Sequence, residues 1–342
     1  MIDLRSDTVT KPSKAMLEAM FKAKVGDDVF EDDPTINLLQ EKAAELLGKK
    51  EALFVPSGTM GNQICVRINT TLGDEVILEY GSHIFNYEAG SPATLSGVQI
   101  HPLNAEKGFL SIEQINSAIR PDNEHFARTK LVCLENTHNR AGGTVYPLER
   151  IEEISAFTKK NNFKLHLDGA RLFNAVVASK TDVKEIVKHF DTVSVCLSKG
   201  LGTPIGSIIA GGDDFFYKAR RVRKSFGGGM RQAGFLAAAG IFALENNIER
   251  LEQDHENARL LAEEINRVGG IEIDLENLQT NIVILDISKT KFNSNEEALA
   301  ALEKEGILLV AFGIGKLRAV THLDVSKKQI QIACEVIKNT FS

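Results

Sequence analysis

The stretch Ser194-Val-Cys-Leu-Ser-Lys-Gly-Leu-Gly202 runs from an apolar, β-prone segment into a lysine flanked by glycines. Lysine at the mouth of a buried strand is unusual, because lysine side chains normally extend into solvent. The glycines let the backbone approach a bound group closely, and burial favours the neutral amine of a lysine. A neutral amine is the nucleophile that forms a Schiff base with an aldehyde. Lys199 is therefore a candidate catalytic residue; on this stretch alone, a solvated loop lysine is the alternative.

A second strand with a polar end lies shortly before it, in Phe163-Lys-Leu-His-Leu-Asp-Gly-Ala-Arg171. Asp168 closes the alternating apolar run, and Arg171 follows within one helical turn. One predicted helical segment, 183–189, separates this strand from the strand before Lys199. Because the carboxyl ends of parallel strands share one edge of a sheet, we expect Asp168 to lie beside Lys199. A simple helix cap is the alternative for an isolated aspartate.

Two glycine-containing turns have the composition of anion sites. In Pro56-Ser-Gly-Thr-Met-Gly61, small residues precede a predicted helix whose first N–H groups are free to bind phosphate. In Phe226-Gly-Gly-Gly-Met-Arg-Gln-Ala-Gly234, three glycines precede Arg231. Neither turn is a P-loop, because the Gly-Lys-Ser/Thr ending is absent. Gly58, Thr59 and Arg231 are candidate phosphate ligands, with an ordinary helix cap and a flexible loop as the respective alternatives.

Two further residues have functional and structural interpretations. His83 follows a predicted strand, 75–79, at the position where α/β enzymes place ligand-binding side chains, although a lone histidine is more often structural. Arg318 alternates with apolar neighbours in a predicted strand, 317–321, and an inward-facing guanidinium there would bind a carboxylate. A surface arginine is the alternative.

Composition excludes several classes of protein. The chain has 342 residues, 43% of them hydrophobic and 25% charged, as in ordinary globular proteins. A net charge of −6 argues against a nucleic-acid partner. The four cysteines are far apart without a Cys-x-x-Cys pair, so we expect neither disulfides nor a metal site. The start of the chain has no signal-peptide core and the longest apolar run, 234–244, is short, so we expect a cytoplasmic protein without a membrane partner.

The order of elements predicts an α/β fold with three parts. Residues 1–35 form an N-terminal arm that lines the site, 36–245 form a large domain with a mostly parallel central sheet, and 246–342 form a small α+β domain. The strand predicted at 206–210 should run antiparallel, because its connection to the preceding strand is too short for a helix. Strands are also predicted at 271–275 and 307–312.

Several motifs occur in the order that is typical of one enzyme family. They are Asp3-Leu-Arg-Ser-Asp-Thr-Val-Thr-Lys-Pro12, Pro56-Ser-Gly-Thr-Met-Gly-Asn62, Leu134-Glu-Asn-Thr-His-Asn139, His166-Leu-Asp-Gly-Ala-Arg171, Ser198-Lys-Gly-Leu-Gly202, Gly227-Gly-Gly-Met-Arg-Gln-Ala-Gly234 and Val320-Thr-His-Leu-Asp-Val325. Together the motifs extend over nearly the whole chain. The sequence therefore resembles the low-specificity L-threonine aldolases.

The resemblance implies a fold-type-I (aspartate-aminotransferase-like) enzyme that uses pyridoxal 5'-phosphate (PLP). Such an aldehyde-lyase cleaves L-threonine or L-allo-threonine to glycine and acetaldehyde by breaking the Cα–Cβ bond. By matching motif, Lys199 is the Schiff-base lysine, Asp168 pairs with the pyridine nitrogen, and His83 stacks on the ring and manages the β-hydroxyl proton.

The resemblance also assigns the remaining binding residues. The phosphate would be held by Gly58, Thr59 and Arg231, and the substrate carboxylate by Ser6, Arg171 and Arg318. His125 lies near the position of a second histidine that touches the hydroxyl in family members. Phe30 stands where the family usually has a tyrosine, so it lacks that hydroxyl. Members of this fold type are homo-oligomers, so a dimer or tetramer is expected.

Two other functions agree with the same lysine and aspartate. A related PLP-dependent β-eliminating lyase would use them with a different pocket and would convert serine to pyruvate and ammonia. A PLP-binding regulatory protein would bind the cofactor without turnover. The full set of carboxylate-binding residues and the two histidines favour the aldolase.

Overall fold

A seven-stranded sheet lies at the centre of the protein and is flanked by helices. The computed structural model describes residues 1–342. The strands are β1 (Ile2–Asp3), β2 (Glu51–Val55), β3 (Glu75–Glu79), β4 (Gln99–Leu103), β5 (Thr129–Glu135), β6 (Lys164–Asp168), β7 (Thr192–Cys196), β8 (Ser207–Gly211), β9 (Ile282–Asp286), β10 (Ile307–Leu308), β11 (Val310–Ala311) and β12 (Lys316–Val320).

The helices alternate with the strands through the first two thirds of the chain, as expected for an α/β fold. They are α1 (Lys14–Phe21), α2 (Pro34–Leu47), α3 (Gly58–Asn69), α4 (His83–Asn86), α5 (Ile112–Ala118), α6 (Leu148–Lys160), α7 (Leu172–Ser179), α8 (Val183–Val187), α9 (Phe215–Ser225), α10 (Gly234–Asn246), α11 (Leu251–Ile265), α12 (Asn295–Lys304) and α13 (Lys327–Phe341). None of them is both long and apolar enough to cross a membrane.

The order of strands in the large sheet is β2-β8-β7-β6-β5-β3-β4. All neighbouring pairs are parallel except those of β8, which runs antiparallel to both β2 and β7. The α/β prediction and the antiparallel strand after Lys199 are thus confirmed. The parallel strands β3, β5, β6 and β7 end at one edge of the sheet, which is where α/β proteins bind ligands.

Two other predicted strands differ from the structure. Segment 271–275 is not a strand, because the Asn266 side chain accepts the N–H of Ile273 and only Glu272 bridges to Asp286. Segment 307–312 is interrupted at Leu309, where the chain changes partner. Before this residue β10 pairs with β1, and after it β11 pairs with β12 in a small antiparallel sheet with β9.

Two large hydrophobic clusters stabilise the chain. The first surrounds the large sheet and contains residues between Met16 and Leu251. The second joins the small sheet to α11, α12 and α13, and it also buries Ile2 and Leu4 from the start of the chain. The N-terminal arm therefore contacts both clusters and passes across the carboxyl edge of the large sheet. The domain boundaries at residues 36 and 246 stay predictions.

Candidate active site

A pocket of about 400 Å³ opens where the N-terminal arm, the large sheet and the small sheet meet. It brings together five of the residues singled out in the sequence, namely Ser6, His83, Arg171, Lys199 and Arg318. These residues come from widely separated parts of the chain, and the carboxyl edge of the sheet assembles them.

Lys199 lies three residues beyond the end of β7 and is half-buried. Its carbonyl accepts hydrogen bonds from the Gly202 N–H at 2.8 Å and from the Thr10 hydroxyl at 3.1 Å. Gly202 has a φ of 77°, which glycine adopts without strain. No carboxylate oxygen lies within 4.0 Å of the Lys199 amine, so the amine lines the pocket without an ion-pair partner in the protein.

Asp168 is the last residue of β6 and is buried next to β7, where it pairs in register with Ser194. Its carboxylate accepts the Ala170 N–H at 3.1 Å and the Asn62 side-chain amide at 2.9 Å. In both hydrogen bonds an N–H group donates to a carboxylate oxygen, which is the arrangement that suits an ionised carboxylate. The predicted placement of Asp168 and Lys199 on neighbouring parallel strands is confirmed.

His83 is the first residue of the short helix α4. Its backbone N–H donates to the Glu135 carboxylate at 2.7 Å, and its ring Nδ1 lies 2.9 Å from Glu88 Oε1. A ring nitrogen of His83, a carboxylate oxygen of Glu88 and a carboxylate oxygen of Asp168 lie within 4.8 Å of one another. Burial lowers the pKa of His83, but the Glu88 hydrogen bond and the Asp168 and Glu88 charges outweigh it, so the pKa is raised.

Arg171 forms a buried, two-point ion pair with Asp7. Its Nε and Nη2 donate to the two Asp7 oxygens, each at 2.7 Å. Burial would raise the pKa of Asp7, but Arg171, with help from Lys199 and Arg318, lowers it to about 2. The Arg171 Nη1 is not used by Asp7, and Arg171 lines the pocket.

Arg318 contributes a second cation to the pocket from β12. It donates to Asn139 Oδ1 at 3.0 Å and to the Arg5 carbonyl at 3.1 Å, while its buried Nε has no partner. Burial and the nearby Arg171 charge lower the pKa of Arg318 to about 10. Arg171 and Arg318 both interact with the single Asp7 carboxylate, so their two positive charges favour binding of a further anion.

The turn before α3 has free N–H groups. Ser57 caps the helix by accepting the Met60 N–H at 3.2 Å, which leaves the N–H groups of Gly58 and Thr59 outside the helical pattern. A Cβ at Gly58 would lie 2.7 Å from Cys196 Sγ, so only glycine fits there. The Ser207 hydroxyl, 3.6 Å from the same point, is buried without a hydrogen-bond partner. This arrangement fits an anion bound at the helix N-terminus.

Comparison with known proteins identifies the family. The family model described as β-eliminating lyase matches residues 3–288. The low-specificity L-threonine aldolase of Escherichia coli (strain K12) is 48% identical over 332 residues, which cover 96% of each chain. This chain belongs to the low-specificity L-threonine aldolase family. The resemblance seen in the motifs is confirmed.

Solved structures agree with the threonine aldolase family assignment at the level of the fold. The threonine aldolase of Leishmania major superimposes with a TM-score of 0.85 over 100% of both chains, at 22% identity. A serine palmitoyltransferase from S. paucimobilis, solved with a bound PLP–myriocin aldimine, gives a TM-score of 0.76 at 20% identity, covering 99% of this chain and 87% of that chain. The fold is that of the fold-type-I PLP enzymes, as predicted.

Three residues that the family resemblance singled out are exposed and do not line the pocket of their own chain. Arg231 pairs with Asp27 at 2.9 Å and its side chain is 56% exposed. His125 is 76% exposed; it lies in the connection before β5, at the amino ends of the strands and away from Lys199. Phe30 is 72% exposed. The roles of Arg231 and His125 stay predictions.

Three buried residues of the site were not found by sequence reasoning: Asp7, Glu88 and Asn62. Asp7 and Asn62 belong to motifs of the threonine aldolase resemblance, and Glu88 follows the candidate residue His83 closely, so neighbouring residues could have drawn attention to all three. Asp7 stands beside Ser6, Asn62 is one turn beyond Gly58, and Glu88 is five residues after His83. Their partners are distant in sequence, and no local pattern reveals those pairings.

Proposed function

We propose that this protein is a PLP-dependent aldehyde-lyase that cleaves L-threonine and L-allo-threonine to glycine and acetaldehyde. The observation that carries the proposal is the single pocket in which an unpaired lysine amine, a histidine and three arginines, Arg140, Arg171 and Arg318, converge. The threonine aldolases to which this chain is related support the same reaction.

The residues fit PLP. The Lys199 amine would hold the aldehyde carbon of the cofactor, and the Asp168 carboxylate, which already accepts only N–H groups, would accept the pyridinium N–H. The free N–H groups of Gly58 and Thr59 would hold the phosphate. When bound, PLP supplies an electron sink for the bond that breaks at the substrate's α-carbon.

The residues opposite the lysine would orient the substrate. Arg171 and Arg318 present two positive charges to the pocket, and Ser6 adds a hydroxyl. A substrate carboxylate held there offsets the repulsion between the guanidinium groups. This contact would leave the β-hydroxyl to His83, whose ring would also stack on the cofactor. His83 would accept the hydroxyl proton as the Cα–Cβ bond breaks.

The β-eliminating lyase is the second candidate, because the matching family model bears that description. Elimination removes a group from Cβ and needs a base for the Cα proton, whereas aldol cleavage needs a base for the hydroxyl proton. Incubation with L-serine separates the two reactions: pyruvate and ammonia would support the lyase. A protein that binds PLP but leaves every β-hydroxy amino acid unchanged would support the regulatory alternative.

We further propose a cytoplasmic homo-oligomer, in which a dimer or a tetramer would complete the sites. Arg231 and His125 are exposed and outside their own pocket, so either could reach the site of a neighbouring subunit. The exposed Tyr217 lines a surface depression of about 500 Å³ together with Arg220 and other basic residues. Four buried, unpaired thiols agree with a reducing compartment.

Mixing two inactive variants tests the contribution of Arg231 across an interface. Lys199→Ala and Arg231→Ala chains, co-expressed, should form oligomers in which some sites contain both native residues and regain activity. Sedimentation analysis would give the oligomeric state directly. Absence of any regained activity in confirmed mixed oligomers would place the action of Arg231 within its own chain.

Absorption spectroscopy tests the proposed function itself. The purified protein with PLP should show a visible band from the Lys199–cofactor bond, and adding L-allo-threonine should release acetaldehyde. Lys199→Ala should abolish both, whereas Lys328→Ala, at an exposed lysine of α13, should change neither. A band without acetaldehyde would overturn the substrate assignment, and no band even with excess PLP would overturn the cofactor assignment.

A further inference from the structure

Glu88 is a buried carboxylate beside the pocket, and its side chain is fully shielded from solvent. Its Oε1 is contacted by Asn62 Nδ2 at 2.8 Å and by His83 Nδ1 at 2.9 Å, and its Oε2 accepts from Gln63 Nε2 at 2.5 Å. Every partner of the two oxygens is a nitrogen that can donate. A protonated carboxyl would need an acceptor, and none is among these contacts, so the arrangement favours the carboxylate.

This geometry decides which nitrogen of His83 carries the proton. A carboxylate only accepts hydrogen bonds, so the nitrogen facing Glu88 must donate. Neutral His83 therefore has its proton on Nδ1, and its Nε2 carries a lone pair. Nε2 makes no hydrogen bond within the protein, and His83 lines the pocket next to Lys199. The free lone pair is thus available to a group bound in the pocket.

Asn62 links Glu88 to the carboxylate at the end of β6. Its Nδ2 donates to Glu88 Oε1 and, at 2.9 Å, to Asp168 Oδ2. Its Oδ1 lies 3.3 Å from His166 Nε2. Because the same Glu88 oxygen contacts both Asn62 and His83, Glu88 cannot rotate away from His83 without also losing its buried hydrogen bond from the Asn62 amide.

The charged groups that face His83 come from four elements. Glu88 follows α4, Glu135 ends β5, Asp168 ends β6, and Lys199 follows β7. Three of them are carboxylates, of which Glu135 binds the backbone of His83 rather than the ring. Among these groups Glu88 alone hydrogen-bonds the imidazole, so it has the most direct control over the ring.

We infer that Glu88 is a positioning residue that keeps the His83 proton on Nδ1 and aims the Nε2 lone pair at the substrate's β-hydroxyl. The last step rests on the proposed aldolase function. The hydroxyl proton moves to Nε2, the hydroxyl oxygen forms the carbonyl of the aldehyde, and the electron pair of the Cα–Cβ bond stays with the α-carbon fragment. The Glu88 carboxylate stabilises the imidazolium that results.

Glu88→Gln tests the inference because it keeps the shape and removes the charge. We expect kcat for L-allo-threonine to fall at least about tenfold, since a general base typically contributes about 10²–10⁴-fold and Glu88→Gln weakens it without removing it. The acid limb of the pH profile should also move to lower pH, because without the carboxylate the imidazolium is less stable and the pKa of His83 falls. A lower kcat with an unmoved acid limb would overturn the inference, since that is the result of a purely structural role.

Glu75→Gln is the matched control. Glu75 is also a buried carboxylate bonded to a histidine, with His101 Nδ1 at 3.2 Å, but it begins β3 at the opposite edge of the sheet. The same substitution there should leave kcat within about twofold and the acid limb unmoved.

A double-mutant cycle adds a second criterion. In a His83→Asn background, Glu88→Gln should have almost no further effect on kcat, and an undiminished effect would contradict action through His83.

The tautomer of His83 can be measured without any change to Glu88. Nitrogen-15 NMR of the PLP-loaded wild-type protein, with the His83 signal assigned from its loss in His83→Asn, should show the Nδ1–H form. A dominant Nε2–H form would overturn the inference even if Glu88→Gln did not fold. If the wild type releases no acetaldehyde, the proposed function fails, and the NMR result still decides the role of Glu88 separately.

Discussion

Asp7→Asn removes the carboxylate of a buried ion pair while retaining almost the same shape. Asp7 is completely buried, and its two oxygens each accept from Arg171 at 2.7 Å. The substitution leaves the Arg171 guanidinium in the interior without its anion. We expect a less stable protein with weaker substrate binding, because Asp7 orients a proposed ligand of the substrate carboxylate.

The size of the effect follows from the pKa of Asp7, which is lowered from 3.8 to about 2. At about 1.4 kcal/mol per pH unit, this difference corresponds to about 2–3 kcal/mol in favour of the folded, ionised state. Because the folded-state pKa is the lower one, this stability is present above about pH 4 and is lost as the pH falls towards about 2. Leaving a buried partner charge unpaired raises the expected loss to about 3–5 kcal/mol.

Thermal unfolding at a fixed, saturating PLP concentration measures this loss, since a bound cofactor itself stabilises the folded state. With an unfolding entropy of about 2 cal/mol/K per residue, 342 residues give about 0.7 kcal/mol/K. A loss of about 3–5 kcal/mol then lowers Tm by roughly 4–7 °C, equally at pH 7 and pH 5.

Asp3→Asn is the control, because its partner in the same arm, Arg5, is exposed and the pair gains little in water. We expect a smaller change in Tm than for Asp7→Asn, together with an unchanged KM. If Asp7→Asn were as stable as the wild type and had the wild-type KM, both the strength of the buried pair and its role in orienting Arg171 would be refuted.

Three further predictions follow from the pocket and the core. Arg318→Lys should raise KM for L-allo-threonine about tenfold, as measured by initial rates, because an ammonium cannot reproduce the planar, multi-point contacts of a guanidinium. Gly58→Ala should weaken PLP binding, as followed by cofactor titration, because its Cβ would lie 2.7 Å from Cys196 Sγ. Cys65 and Cys133 should stay unreactive to a thiol reagent at pH 8 until denaturant is added, because burial raises the pKa of both thiols.

The parts of the site that could be predicted from the sequence are those determined by strand ends. Asp168 and Lys199 each follow an apolar run at the position where a parallel strand must stop, and the sheet brings these positions together. The same rule placed His83 after β3. The alternating pattern misled at 271–275, where Ile271 and Ile273 are buried without a strand ladder because Asn266 accepts the Ile273 N–H.

The residues that could not be predicted are the partners of those side chains. Asp7 lies in a polar arm that is predicted to line the site, but no local pattern marks it as buried; Arg171, 164 positions later, holds it in the interior. Glu88 likewise depends on Asn62, 26 positions earlier, and on its bond to His83. Burial of a carboxylate is favourable only when its donors are already in place, and those donors are brought together by the completed fold. Periodicity therefore locates the groups at the strand ends, whereas the groups that set their charge and orientation become visible only in three dimensions.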